Sequence, residues 1–379
     1  MADTLRQRFI RHAARVLLSA LTFYLRVVPL HLGKRLILSF CRKVLAPQLP
    51  PFAADVSITA STAKWPVMRC FQLGGAHHAD VLSEWLLYTG TWQPALTHWL
   101  CRTLKPGDVF VDVGANTGYF SLLAAALVGE QGGVVAVEAC PRTVARLQQN
   151  LALNPSLASR IRVVAEAAAE AAGKLTLYQH KRDALYNTTV AGAGAGGVPA
   201  GAGDVWSVLQ KQGVGGFGGA AAASTAAATL AAVTQLASES SVWHEVRVAK
   251  RRLDEMVEAK ARAAARVIKI DVEGGEAAVL RGMTSLLDEA RDELEIVMEL
   301  TPRWLALQGT SADEVLRGMR DRGYHAYILK EHDYEVAKCY DGEPLQMAPP
   351  RRMLDGDAAN LGAHGQADII FSRRDAATL

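Results

Sequence analysis

Two stretches of this 379-residue chain carry residue types at spacings that could do chemistry. The first is Val109-Phe-Val-Asp-Val-Gly-Ala-Asn-Thr-Gly-Tyr-Phe-Ser121. An apolar run stops at Gly114, a second glycine follows at Gly118, and apolar residues resume at Phe120. This is the pattern of a buried strand, a tight turn and a helix. Such a turn lets a ligand approach bare backbone at the carboxyl end of a parallel strand. Asp112 stands just before the turn and Asn116 inside it. The second stretch, Ile268-Lys-Ile-Asp-Val-Glu-Gly-Gly-Glu276, also ends an apolar run in acids. Lys269 and Asp271 share one face of that strand, because side chains alternate.

The spacing of the first stretch selects among ligands. A triphosphate loop needs Gly-x-x-x-x-Gly-Lys-Ser/Thr, and Tyr119 occupies the lysine position, so that site is excluded. A nicotinamide fingerprint needs Gly-x-Gly-x-x-Gly, and its second and third glycines would be Asn116 and Tyr119. What remains is Asp112-x-Gly114-x-Asn116-x-Gly118, with Glu138 at the end of the next strand. That set suits S-adenosylmethionine, which has no pyrophosphate. Asp112 and the turn amides can address the amine and carboxylate of its methionine part. Glu138, an acceptor-only group, can take both ribose hydroxyls. A lone carboxylate at a strand end is often a solvated cap; its coincidence with the glycine turn favours the cofactor role.

Methyl transfer from a sulfonium is an in-line displacement, so the protein must align the acceptor and manage its proton. The second stretch admits three readings. In the first, Asp271 or Glu273 orients or deprotonates a hydroxyl acceptor, with Lys269 beside them and no metal assigned. In the second, Asp271 and a partner such as Glu299 hold a divalent cation that binds the acceptor oxygen. In the third, Lys269 and the acids are a buried ion-pair network that fixes the strand ends. His332 and Asp333, in the late loop, are weaker candidates for acceptor contacts.

The elements that must position these residues alternate strand and helix. Strands are predicted at 109–113, 134–137, 161–164, 174–178, 267–270, 296–300, 324–329 and 368–371. Helices are predicted at 95–104, 119–127, 142–153, 276–287 and 311–322, the third led by Pro141. Repeated units of this kind predict a parallel sheet with helices on both faces. Residues 48–63, marked by Pro47, Pro50 and Pro51, read as a loop, and 67–73 as a strand of a small entry hairpin.

At this point the chain resembles the FkbM-type methyltransferases, a Rossmann-like branch of the S-adenosylmethionine-dependent enzymes. The resemblance rests on Leu104-Lys-Pro-Gly-Asp leading into Val109–Ser121 and on Val137-Glu138 before a proline-led helix. It also rests on Asn150-x-x-x-Asn154, on Gly173-Lys-Leu-Thr-Leu-Tyr178, and on the Ile268–Glu276 block followed by Val279-Leu-Arg-Gly-Met283. It covers residues 84–189 and 242–330, about half the chain. It implies an α/β class I methyltransferase fold, with a seven-stranded sheet ordered 3-2-1-4-5-7-6 and the seventh strand antiparallel. It also implies a polar loop near the pocket at Asn187, and methyl transfer commonly to a hydroxyl oxygen, here of a sugar, glycan or secondary metabolite. The chain departs from the family pattern at Ala139, where proline is usual after the acid, and at Gln93, where an acid is usual. Two rival functions stay open: a catalytically silent cofactor-binding module of the same fold, and a nicotinamide-dependent oxidoreductase.

Charge and composition set the outer bounds. Residues 1–47 hold nine Lys/Arg against the single acid Asp3, a balance of +8 that leaves −5 for the remainder of a chain with net charge +3. A mildly acidic body is a poor grip for nucleic acid, so a small-molecule or glycan acceptor is the expected partner. Residues 5–26 are predicted as a helix with a polar stripe, and residues 36–45 as a second basic helix. The organisation expected is an arm over 1–60 and a methyltransferase domain over 61–379. The arm has three readings: a helical arm packed on the body, a peripheral membrane contact, and an organelle-targeting segment within 1–47. Its apolar run of about ten residues is too short to span a bilayer, which needs about 20. A cytoplasmic protein, with or without membrane contact, is expected. Residues 191–238, dominated by Gly, Ala and Ser, read as a flexible insertion, either an inert loop or a lid. Five scattered cysteines without metal or redox spacing are expected to be reduced thiols.

Overall fold

The strand Val109–Val113 (β1) is buried on both faces and lies inside the main sheet of the computed structural model. The structure describes residues 2–27, 33–45, 49, 52–60, 63–72, 81–180, 187–188, 243–329, 348–354 and 367–379. The other strands of the main sheet are β2 (Gly133–Val137), β3 (Ile161–Val164), β4 (Ala265–Ile270), β5 (Glu295–Leu300), β6 (His325–Leu329), β7 (Arg351–Arg352) and β8 (Ala367–Ser372). Their order is β7-β6-β8-β5-β4-β1-β2-β3. β1 to β5 run parallel, whereas β8 is antiparallel to both β5 and β6. The sheet therefore has eight strands where seven are expected. The extra one, β7, is a two-residue edge strand pairing Arg351 and Arg352 with Ile328 and Tyr327. Without it the order is the expected one, with β8 in the seventh place.

Alternation along β1 divides the core. Val111 and Val113 join the cluster on one face, with Ile268, Ile270, Ile296 and Met298. Phe110 faces the other side with Val134, Val267 and Val297, under Leu96 and Leu100 of helix Pro94–Thr103 and Leu122 and Leu123 of helix Tyr119–Val128. The site's polar residues share this second face, at the carboxyl ends of the strands.

Several expectations need correction. Residues 52–60 form a strand, Phe52–Ala60, paired antiparallel with Ala63–Gln72, so the prolines before it mark its start and the entry hairpin straddles residue 60. The helix predicted over 276–287 is two helices, Glu276–Arg281 and Thr284–Glu289. The break falls at Gly282, where an added Cβ would sit 1.9 Å from the Ala169 carbonyl oxygen. A crossing backbone therefore requires glycine there. The strand Trp243–Arg252, which has no counterpart among the predicted elements, pairs antiparallel with Gly173–His180 in a second, four-stranded sheet. His180 lies opposite Trp243, and Asn187–Thr188 pairs with the other side of Gly173–His180, so one strand separates the two that flank residues 189–242. The predicted insertion at 191–238, His332, Asp333 and Cys339 lie outside the described residues, as does the side chain of Asn187.

The arm comprises the helix Ala2–Val27, longer than predicted, and the helix Lys34–Phe40, which continues as one wider turn over Cys41–Leu45. Ala14, Leu18 and Leu25 of the first helix and Leu38, Cys41 and Leu45 of the second pack on Trp85 and Tyr88 of helix Val81–Thr89. Buried Lys34 donates from Nζ to the Leu25 carbonyl at 2.8 Å, closing the end of the first helix. No helix among the described residues is long and apolar enough to cross a membrane.

Candidate active site

The turn after β1 is held from three sides. Gly114 and Ala115 donate from their amides to the Val137 carbonyl at 2.9 and 3.0 Å, which ties the turn to β2. Asn116 donates from its amide to Glu138 Oε2 at 2.9 Å, and Cys140 donates to Oε1 at 2.9 Å. Asn150, on helix Pro141–Ala152, donates from Nδ2 to the Thr117 carbonyl at 2.7 Å. The two glycines differ in why they are needed. At Gly114 (φ 81°) a Cβ would stand 1.8 Å from the Asp271 carbonyl oxygen, and backbone cannot yield. At Gly118 (φ 89°) a Cβ would meet only Cδ1 of Leu147, at 2.3 Å. Asn116 also has positive φ, 50°, a conformation its short polar side chain tolerates.

The close approach at Gly114 brings the two stretches together. The Asp271 amide donates to the Val113 carbonyl at 3.0 Å, so the end of β4 is laced directly to the turn. Lys269 is paired in register with Asp112 across β4 and β1. Its Nζ donates to Asp271 Oδ2 at 2.9 Å and lies 5.2 Å from the Phe120 ring centre. Burial opposes the charge on Lys269, but Asp271 and Asp112 outweigh it and hold its pKa above the ordinary lysine range. Asp112 is fully buried and accepts from Ser121 Oγ at 2.6 Å through Oδ2. Among the described residues its Oδ1 has no partner, and neither does Asn116 Oδ1.

Beyond Asp271 the chain turns sharply through Glu273 (φ 52°) and Gly274 (φ 104°). Glu276 shapes that turn: its Oε1 accepts from the Gly274 amide at 3.0 Å and the Val272 amide at 3.4 Å. Carboxylate oxygens of Asp271, Glu273 and Glu299 lie within 4.8 Å of one another. Asp368, opposite Glu299 in the β5–β8 ladder, adds a fourth acid, and its buried Oδ2 has no partner among the described residues. Burial, reinforced by Asp271, pushes the Asp368 carboxyl up to about 7. Burial, then Asp271, Glu273, Asp368 and Glu276, raises Glu299 well above the carboxylate range.

The structure thus brings together Lys269, Asp271 and Glu273 with the turn bearing Gly114, Asn116 and Gly118, and places Asp112 beneath it and Glu138 beside it. Asp271 and Glu299 are neighbours, with Glu273 as the third acid of the group. Lys269 and Asp271 form an ion pair that is buried on the lysine side and partly exposed on the aspartate side. Gln93 is buried at the start of helix Pro94–Thr103 with φ 40°. Two contributors escape sequence reasoning. Asp368 is announced only by an acid opening a predicted apolar strand, and its proximity to Asp271 depends on sheet order. Asn150 reads as a helix-face polar residue until its reach to Thr117 is seen.

The family model described as the methyltransferase FkbM domain matches residues 112–326, more than half of the chain. The chain belongs to the FkbM methyltransferase family. The matched residues of the FkbM domain run from Asp112 to the start of β6, so they contain every site residue discussed above except Gln93 and Asp368. No curated protein matches the chain. Among solved structures, the FkbM methyltransferase from Methylobacillus flagellatus KT is 13% identical, covers 78% of this chain and 56% of its own length is spanned, at a TM-score of 0.36. An O-methyltransferase from Thermotoga maritima described as S-adenosylmethionine-dependent is 11% identical over 78% of this chain and 73% of that one, at a TM-score of 0.33. Aeropyrum pernix fibrillarin, solved with natively bound S-adenosylmethionine, is 12% identical over 71% and 68%, at a TM-score of 0.32. Likeness at this level assigns no residue a role.

Proposed function

We propose that this FkbM methyltransferase uses S-adenosylmethionine to methylate a hydroxyl oxygen on a sugar, glycan or secondary metabolite. The observation that carries this reading is the contact of Gly114 with the backbone of Asp271, which sets a ligand-binding turn directly against a partly exposed acid. The residues present fit the cofactor. Glycine at 114 lets the turn seat against the Asp271 backbone, and the partnerless oxygens of Asp112 and Asn116 are acceptors for a donor-bearing ligand. Glu138 would take the ribose hydroxyls with the lone pairs that its two amide donors leave free. Asp112 places negative charge under the turn, toward the cofactor's amine. When bound, S-adenosylmethionine supplies an electrophilic methyl group on a sulfonium.

The chain's own residues do the rest. Lys269 fixes one oxygen of Asp271, leaving Oδ1 to accept the proton of an approaching hydroxyl. Glu273 sits two residues on, held at positive φ by the turn that Glu276 braces, where it can orient the same acceptor. Exchanging Asp271 for asparagine keeps shape and removes the base. Asp271→Asn should lower turnover about 10²- to 10⁴-fold while leaving S-adenosylhomocysteine affinity unchanged. Unchanged turnover would reduce Asp271 to its ion pair with Lys269.

A second reading gives Asp271, Glu273 and Glu299 a divalent cation that binds the acceptor oxygen. It is favoured by the convergence of their oxygens within 4.8 Å and by the partnerless oxygen of Asp368 beside them. The same turnover assay after chelation separates the two: loss restored by magnesium or manganese supports the cation, and full retained activity removes it.

A further inference from the structure

The arm hides one apolar stripe and displays another. Of the eight large hydrophobic residues exposed among the described residues, seven lie between positions 10 and 44: Ile10, Val16, Leu17, Phe23, Leu36, Phe40 and Val44. On the first helix, Ala14, Leu18 and Leu25 face inward, and Val16 and Phe23 emerge on the opposite side, flanked by Ile10 and Leu17. On the second helix and its continuing turn, Leu36, Phe40 and Val44 recur every fourth residue and point outward, while Leu38, Cys41 and Leu45 point in. Exposures of 78% at Leu36 and 64% at Phe23 are far beyond the scattered apolar contacts of an ordinary surface. The arm is folded onto the body through a core of its own, and its outer face is still apolar.

Charge decides what covers that face. The segment 1–47 carries +8 and the rest of the chain −5, and exposed Arg11, Arg15 and Lys43 border the apolar stripes. Two copies meeting through this face would set one +8 segment against another, which disfavours self-association. We propose that the outward faces of the two arm helices dock on a bilayer rich in anionic headgroups, lying in the interface and not crossing it. The acidic body is repelled by the same surface, so the charge distribution also orients the molecule arm-down. The arm stands one helix from the donor turn. Trp85, which packs against it, meets Trp92 edge-on at 6.1 Å, and neighbouring Thr91 reaches the hydroxyl of Tyr119, the residue after Gly118, at 3.2 Å.

Flotation of the full chain with phosphatidylcholine vesicles, with or without about one third phosphatidylglycerol, tests the proposal. The wild-type chain should float with the anionic vesicles and far less with the neutral ones. The combined variant Phe23→Ser, Leu36→Ser, Phe40→Ser should lose roughly a hundredfold in partitioning, with its melting temperature preserved because these side chains are exposed. Arg11→Glu with Lys43→Glu, which alters no core residue, should weaken binding to the anionic vesicles and make what remains less sensitive to salt. Equal flotation of wild type and both variants, or none by the wild type, overturns the proposal. So does a concentration-dependent dimer, seen by light scattering, that the serine substitutions abolish.

Discussion

Glu138 holds two backbone amides with the same carboxylate that is proposed to receive a ribose. Burial raises its pKa from the ordinary 4.5 to about 7, against the opposing pull of those amides. The folded chain therefore keeps a proton there that the unfolded chain releases. Its contribution to stability is complete below about 4.5 and is lost as pH rises through about 7. Melting temperature should fall from pH 5 to pH 8 more steeply in the wild type than in Glu138→Gln, the difference amounting to about 3 kcal/mol at most. Glu276 is raised to about 7 by burial as well, so the comparison of slopes, not the wild-type slope alone, isolates Glu138. Parallel melting curves for the two proteins would show that Glu138 is ionised throughout. At this scale the sequence is informative where one residue's neighbours are local. Glu138, Asp271 and Glu273 stand out because each ends an apolar run. The fourth acid, Asp368, does not, since only the placing of β8 beside β5 brings it to the group.

At the scale of elements, the account rests on a turn pressed against a strand end. The two glycines of that turn make different demands, which can be ranked. Gly114→Ala puts a methyl group into the Asp271 carbonyl and should cost more than about 3 kcal/mol in denaturant unfolding, or prevent folding. Gly118→Ala asks only that the tip of Leu147 rotate, and should cost about 1 to 2 kcal/mol, mainly for the left-handed backbone. Equal losses at the two positions would mean that the turn stands clear of β4. The buried strands were readable because parallel strands covered on both faces are continuous apolar runs, as Val109–Val113 and Glu295–Leu300 largely are. Trp243–Arg252 escaped because its lysine and arginines mask the apolar alternation of a strand exposed on one side. Phe52–Ala60 escaped because prolines precede it, and the single helix over 276–287 failed because nothing local announces Ala169 crossing at Gly282.

At the scale of the molecule, three parts differ in charge and texture: a basic arm, an acidic sheet domain and a Gly/Ala-rich stretch. Residues 191–238 fall between Asn187–Thr188 and Trp243–Arg252, two strands of one sheet separated by the single strand Gly173–His180. Replacing that stretch by a short Gly/Ser linker alters loop closure by only about 1 kcal/mol, so the melting temperature should stay within a few degrees. An insoluble or molten deletion variant would show that the stretch helps to build the core. The order of the sheet could be anticipated from the alternation of elements and the family resemblance, but the edge strand β7 and the second sheet could not, because their partners are distant in sequence.

The central claim is that the turn at Gly114 to Gly118 and the acid at Glu138 hold S-adenosylmethionine, and calorimetric titration with S-adenosylhomocysteine tests it most directly. The account predicts one equivalent bound by the wild type and a loss of at least about tenfold in affinity for Glu138→Ala, the equivalent of one charged hydrogen bond. Absence of binding, or identical affinity in Glu138→Ala, would contradict it.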